Sequence, residues 1–247
     1  MPMIRPWILL LMLVVLVLPA DLRAQTGMKI VVLGDNITSG YQIQENEGYA
    51  GKLYHRLRDI GYQEISVINM SETGRTSSTA MQVINKVLVQ RPDIVIIQLG
   101  ANEANRGVNP DTIYNNIIDI AGKFQQKGMY VILFGYEAPE SRGATYIAQL
   151  RAVYQRIADF YRVPLYPDIL QGIRNNEALM LADGFHPNGR GVDVMIENTF
   201  RIVDAGLRWK WNRINEQRGY QPDVKEALPP AMPPMAEPEL TTPGTTR

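Results

Sequence analysis

Five short runs of this chain are apolar almost without interruption: Lys29–Leu33, Ile65–Ile68, Asp93–Leu99, Met129–Phe134 and Val163–Leu165. They are rich in Val and Ile and show no alternation of apolar and polar residues. A strand with one face in water alternates; a strand covered on both faces does not. Between the runs lie longer amphipathic stretches, Tyr49–Ile60, Ser78–Val89, Thr112–Lys127 and Thr145–Tyr161, and a last helix is expected from about Val192 to Leu207. Gly61 and Gly128 stand where a helix would end, and Asn109-Pro110-Asp111 where one would begin. Buried strands alternating with helices over short connections imply a five-stranded, doubly wound parallel sheet with helices on both faces. A sheet of that kind carries its site beyond the carboxyl ends of the strands.

The 247 residues suit one such domain with tails. Formal net charge is zero, so neither nucleic acid nor an anionic membrane surface is implied as a partner. Cysteine is absent, which excludes disulfides, thiolate metal sites and a lipidated Cys. At the start, Arg5 precedes an apolar run from Trp7 to Leu18, and Leu22-Arg23-Ala24 ends in a small residue. These are the parts of an export signal, residues 1–24, cleaved near Ala24. The run is short for a membrane span, which usually needs about 20 apolar residues, so an exported product, periplasmic or extracellular, with no stable span after cleavage is expected. The core domain is expected over residues 25–212. Residues 213–247 hold Pro222, Pro229, Pro230, Pro233, Pro234, Pro238 and Pro243 and are expected to form a proline-rich, disordered tail. A proline-rich tail can serve as a ligand for a partner domain; a solvated tail is the simpler reading.

His186 is one of two histidines, and Asp183 lies three residues before it. At that spacing a carboxylate can orient an imidazole and stabilise its protonated form. Read alone, the pair also allows two unrelated loop residues, or a metal pair. The other histidine, His55, sits among Lys52, Arg56 and Arg58 on a helix and reads as surface.

Three further blocks complete a pattern: Gly34-Asp35-Asn36 after the first run, Asn69-Met70-Ser71-Glu72-Thr73-Gly74 after the second, and Gly100-Ala101-Asn102-Glu103 after the third. In order and separation, with Asp183-Gly184-Phe185-His186-Pro187, they resemble the signature blocks of the SGNH hydrolases, or GDSL esterases. The resemblance runs from about Met28 to Trp211. It is nearest to the secreted single-domain branch of thioesterases, lysophospholipases and arylesterases. It implies a three-layer α/β/α flavodoxin-like fold, a catalytic dyad of Asp183 and His186, and an oxyanion hole. The donors of that hole would be the backbone N–H at position 36, the N–H of Gly74 and the side chain of Asn102. It implies no cofactor and no metal, and a small acyl ester, thioester or lysophospholipid as substrate.

Two residues depart from the family pattern. Glu103 stands where an Asp is usual, which is expected to alter the local support of Asn102. Asn36 stands where the family has its nucleophilic Ser. An amide nitrogen cannot attack a carbonyl, because its lone pair is delocalised, so the covalent route is closed at this residue. Ser39 and Thr38 lie further along the chain, and reaching His186 would need rearrangement. His186 acting directly on water would leave weak activity. The expectation is impaired or absent ester hydrolysis. The alternative is a pseudoenzyme that binds an acyl ligand without cleaving it. A nucleotide binder ranks last, because neither a P-loop nor a dinucleotide fingerprint is present.

Overall fold

The computed structural model describes residues 27–218. The expected export signal and the proline-rich part of the tail lie outside the described residues. Five strands form one parallel sheet: β1 (Met28–Gly34), β2 (Ile65–Asn69), β3 (Ile94–Gln98), β4 (Tyr130–Phe134) and β5 (Leu165–Tyr166), in the spatial order β2-β1-β3-β4-β5. The helices are α1 (Asn36–Ser39), α2 (Tyr49–Asp59), α3 (Ser77–Ala80), α4 (Ile84–Val89), α5 (Ala101–Arg106), α6 (Pro110–Gln126), α7 (Ala144–Tyr161) and α8 (Gly189–Arg218). Helix α2 packs against α8, and α6 against α7. Right-handed crossovers that leave β1 in one direction and β3 in the other put these pairs on opposite faces, giving three layers.

The uniformly apolar runs are the centre of the sheet. Ile30 to Leu33 and Ile94 to Ile97 are wholly removed from solvent. Each such side chain contributes roughly 1.5–3 kcal/mol of transfer free energy relative to exposure. The register pairs Gly34 with Gln98, and Gln98 with Phe134, so β1 and β3 end level with each other. Chain order reverses at this pair of strands. The residues that follow them therefore emerge side by side at the switch point, where a ligand site is expected.

Three boundaries and one short helix differ from the sequence reading. The fifth strand is Leu165–Tyr166 rather than Val163–Leu165, because Arg162 takes a left-handed conformation (φ 52°) and Pro164 has no N–H to give the ladder. The stretch Ser78–Val89 is interrupted: Thr76 caps α3 through a capping box with Thr79, a 3-10 turn follows at Met81–Val83, and α4 begins only at Ile84. Helix α1, four residues long, shows no periodicity and went unread. Finally, α8 runs to Arg218 and buries Asn215, so the boundary drawn at residue 213 falls inside a helix. None of the helices among the described residues is long and apolar enough to cross a membrane.

Candidate active site

Strand β1 delivers its last residues through Gly34. A Cβ there would fall 1.9 Å from Thr38 Oγ1 and 3.0 Å from the carbonyl oxygen of Gln98, so only glycine lets the chain turn this tightly into α1. Asp35 follows, fully buried. Its Oδ1 accepts from the Ile37 N–H at 3.1 Å, capping α1, and its Oδ2 accepts from the Ala101 N–H at 2.9 Å, tying the β1 turn to the start of α5. Burial pushes this carboxyl up to about 7, against the two N–H bonds that favour its charge, and the nearby Glu103 adds to the rise.

Asn36 stands half-buried in the first turn of α1, and its side chain takes part in three hydrogen bonds. Its Oδ1 accepts from the Gly74 N–H at 2.6 Å and from Asn102 Nδ2 at 2.8 Å. Its Nδ2 lies 3.0 Å from Nε2 of His186. The two donors fix which way the amide faces, since turning it over would set NH2 against N–H and NH2. The Asn36 side-chain carbonyl thus occupies the point on which two of the three expected oxyanion donors, Gly74 and Asn102, converge.

Those donors are held by different means. Gly74 has φ +83°, a conformation costly to any residue with a Cβ, yet a Cβ would meet nothing within 4 Å. Its glycine is required by the backbone turn rather than by close packing. Asn102 also donates to the Arg75 carbonyl at 2.7 Å, which locks its amide. The Arg75 side chain bonds back to the Met70 carbonyl and pairs with Glu72 at 2.5 Å, bracing the loop that carries Gly74. Glu103 is buried, and one of its carboxylate oxygens accepts from the Ser77 N–H. The residue expected to alter support of Asn102 therefore reaches across to the Gly74 loop and joins the two donor segments.

Asp183 and His186 come together on the loop before α8. Asp183 Oδ1 accepts from the N–H groups of Phe185 (2.9 Å) and His186 (3.1 Å), while Oδ2 meets His186 Nδ1 at 2.7 Å. A bridge between Met180 and Pro187 closes the loop. Partial burial alone would raise the Asp183 carboxyl; the bonds from the His186 side chain and from the two backbone N–H groups outweigh it and hold the carboxyl below its ordinary value. With Nδ1–H directed at Asp183, Nε2 is the acceptor that faces Asn36.

Thr38 is fully buried, with its hydroxyl at 2.9 Å from Ser71 Oγ and 3.2 Å from Gln98 Oε1. Ser39 Oγ donates to the backbone carbonyl of Asn36 at 3.2 Å and lies 3.2 Å from the Thr73 hydroxyl. These bonds direct both hydroxyls to partners other than His186. His55 is exposed and lines a separate surface cavity of about 500 Å³ with Tyr54 and Asn69. One residue was missed: the Tyr41 ring lies against the His186 imidazole, centroids 4.1 Å apart and tilted 33°. Only its position five residues after Asn36 pointed to it. No group of three or more potential metal ligands is found among the described residues.

The α/β/α fold thus brings a carboxylate–imidazole pair and two convergent N–H donors together at the switch point of the sheet. The sequence matches the GDSL-like lipase/acylhydrolase family over residues 32–194, and the chain belongs to that family. It is 31% identical over 189 residues to esterase TesA of Pseudomonas aeruginosa, covering 76% of this chain and 92% of that protein. It is 30% identical to an arylesterase of Vibrio mimicus, over 66% and 82% of the two chains. Among solved structures, TesA superposes with a TM-score of 0.70 at 29% identity, over 72% of this chain and 99% of its own. The psychrotrophic esterase EstA from Pseudoalteromonas sp. gives 0.68 at 25% identity, over 73% and 98%.

Proposed function

We propose that this chain is an exported carboxylic ester or thioester hydrolase scaffold whose ester chemistry is switched off at residue 36. The single observation that supports this most is the seat of the Asn36 carboxamide. It removes the nucleophilic hydroxyl and also fills the oxyanion hole, with Oδ1 on Gly74 N–H and Asn102 Nδ2. A substrate carbonyl has to displace it from both donors before it can be polarised there.

With a hydroxyl at position 36, the surrounding groups define the reaction. The hydroxyl gives its proton to His186 Nε2 and attacks the acyl carbon; Asp183 stabilises the imidazolium. Negative charge developing on the acyl oxygen falls where Asn36 Oδ1 now lies and is met by preorganised donors. His186 then protonates the leaving alcohol or thiol, and water releases the acyl group from residue 36. By kinship with the family, small to medium acyl esters, thioesters or lysophospholipids are the substrates. Export rests on the N-terminal signal pattern, with cleavage near Ala24.

The experiment is p-nitrophenyl acetate and butyrate hydrolysis by this protein and its Asn36→Ser variant, side by side. Turnover by the variant alone is the expected result. Equal turnover by both overturns the role given to Asn36. The alternative, a binder of acyl ligands at the same cleft, is disfavoured by the filled hole.

A further inference from the structure

The Asn36 carboxamide is bound as a substrate would be. Its carbonyl oxygen sits on two oxyanion donors at 2.6 and 2.8 Å, and its nitrogen lies 3.0 Å from the nitrogen of an imidazole backed by a carboxylate at 2.7 Å. Each contact favours amide hydrolysis. The donors stabilise negative charge on Oδ1 when a nucleophile adds to Cγ. His186 Nε2, 3.0 Å from Nδ2, is placed to deliver a proton to that nitrogen, and takes one from the nucleophile when the Nδ2–H bond to it opens.

From this geometry we infer that Asn36 is a self-modification site: the cluster hydrolyses its own carboxamide to a carboxylate, converting Asn36 to Asp and releasing ammonia. The inference rests on reading the cluster as a hydrolytic site. Solvent water adds to Cγ and gives a proton to His186 Nε2. The tetrahedral oxyanion is held by Gly74 N–H and Asn102 Nδ2. It collapses as the C–N bond breaks and the proton passes to Nδ2. One water is consumed and one ammonia leaves, with no change of oxidation state.

The familiar spontaneous route is blocked here. It requires the backbone nitrogen of the next residue to attack Cγ and close a succinimide ring. That residue is Ile37, β-branched and buried, whose N–H is already given to Asp35 Oδ1 at 3.1 Å. The chain carries its own comparator in Asn188-Gly189, where the following residue is the unhindered glycine that favours the ring. The two routes also leave different products. A succinimide opens to a mixture of isoaspartate and aspartate, while direct hydrolysis gives aspartate alone.

The test is peptide mapping by mass spectrometry of the purified full chain, aged for weeks in ordinary and in oxygen-18 water, folded and in denaturant. In denaturant Asn188 is expected to convert faster than Asn36. In the folded protein the order is expected to reverse, with Asn36 yielding aspartate free of isoaspartate and carrying one solvent oxygen. His186→Gln and Asn102→Ala are each expected to slow conversion at Asn36 by roughly 100-fold or more. Circular dichroism on each variant separates that loss from unfolding. An Asn36 that stays intact in the folded chain while Asn188 converts overturns the proposal. So does conversion at equal rates in His186→Gln, or as an isoaspartate mixture. None of these outcomes bears on ester turnover by Asn36→Ser, so this inference and the hydrolase reading fail separately.

Discussion

In the Asn36→Ser background, Asn102→Ala removes one of the two donors that now converge on Asn36 Oδ1. In the proposed reaction that oxygen marks where a substrate oxyanion is held, 2.8 Å from Asn102 Nδ2 and 2.6 Å from the Gly74 nitrogen. Loss of one preorganised donor costs about 10²–10³ in kcat, or roughly 2.7–4 kcal/mol of transition-state stabilisation. The ground-state carbonyl carries less charge, so KM is expected to move little. The substitution also strands the Arg75 carbonyl, which Asn102 Nδ2 meets at 2.7 Å. One such bond is worth about 1 kcal/mol of stability, or about 2–4 °C in Tm for a domain of this size. The assay is steady-state p-nitrophenyl butyrate hydrolysis well below the Tm, with thermal unfolding followed in parallel. A kcat within threefold of the Asn36→Ser parent refutes the role of Asn102. A fall in activity that tracks the unfolded fraction makes the residue structural only.

Asp35 sets a pH dependence of stability. Its folded value of about 7 lies above the ordinary 3.8, so across that window the folded protein holds a proton that the unfolded chain has released. Its contribution therefore falls as pH rises from about 4 to 7, by at most about 4 kcal/mol. Asp183, held low, acts with the opposite sign and loses its contribution as pH falls through the acid range. Urea unfolding between about pH 5 and pH 8 measures the Asp35 slope; Asp35→Asn is expected to flatten it, and an unchanged slope in that variant refutes the assignment. Gly34→Ala places a methyl against Thr38 Oγ1 and the Gln98 carbonyl and is expected to cost about 3 kcal/mol or more, read as lost soluble protein or a lowered Tm. Truncation after residue 212 removes the last turns of α8, including buried Asn215, and is expected to lower Tm relative to truncation after residue 218; equal Tm values refute a structural role for those turns.

Much of this was readable from the chain because the signals were long or strongly typed. The central strands announce themselves, since a run such as Ile94-Val95-Ile96-Ile97 has no place but between two layers. Helices α2, α6 and α7 carry enough turns for their periodicity to show. Asp35, Asn36, Gly74 and Asn102 could be placed because they follow strands at glycine-bearing turns, and Asp183 and His186 because three residues separate a carboxylate from an imidazole. What escaped was short-range or side-chain-specific. The break at Met81–Val83 depends on a capping box, and β5 on a left-handed Arg162. That Glu103 reaches to Ser77 N–H, and that Tyr41 lies on His186, depends on how separate loops meet in space, which linear spacing does not encode. The seat of the Asn36 amide is of the same kind: sequence places an Asn at residue 36, but does not tell that its Oδ1 accepts from both Gly74 and Asn102.

The bond from the Ser77 N–H to Glu103 joins the first turns of α3 and α5, which follow different strands, so the segments that carry Gly74 and Asn102 are braced without any help from residue 36. On the proposed reading, what stands around the silent position is finished machinery. Asparagine codons become serine codons by one A-to-G transition at the middle base. In genetic terms, a hydroxyl at residue 36 lies a single point mutation away. A culture large enough to hold such revertants gives a trace of esterase that belongs to the neighbouring sequence, and sequencing the expressed gene distinguishes the two.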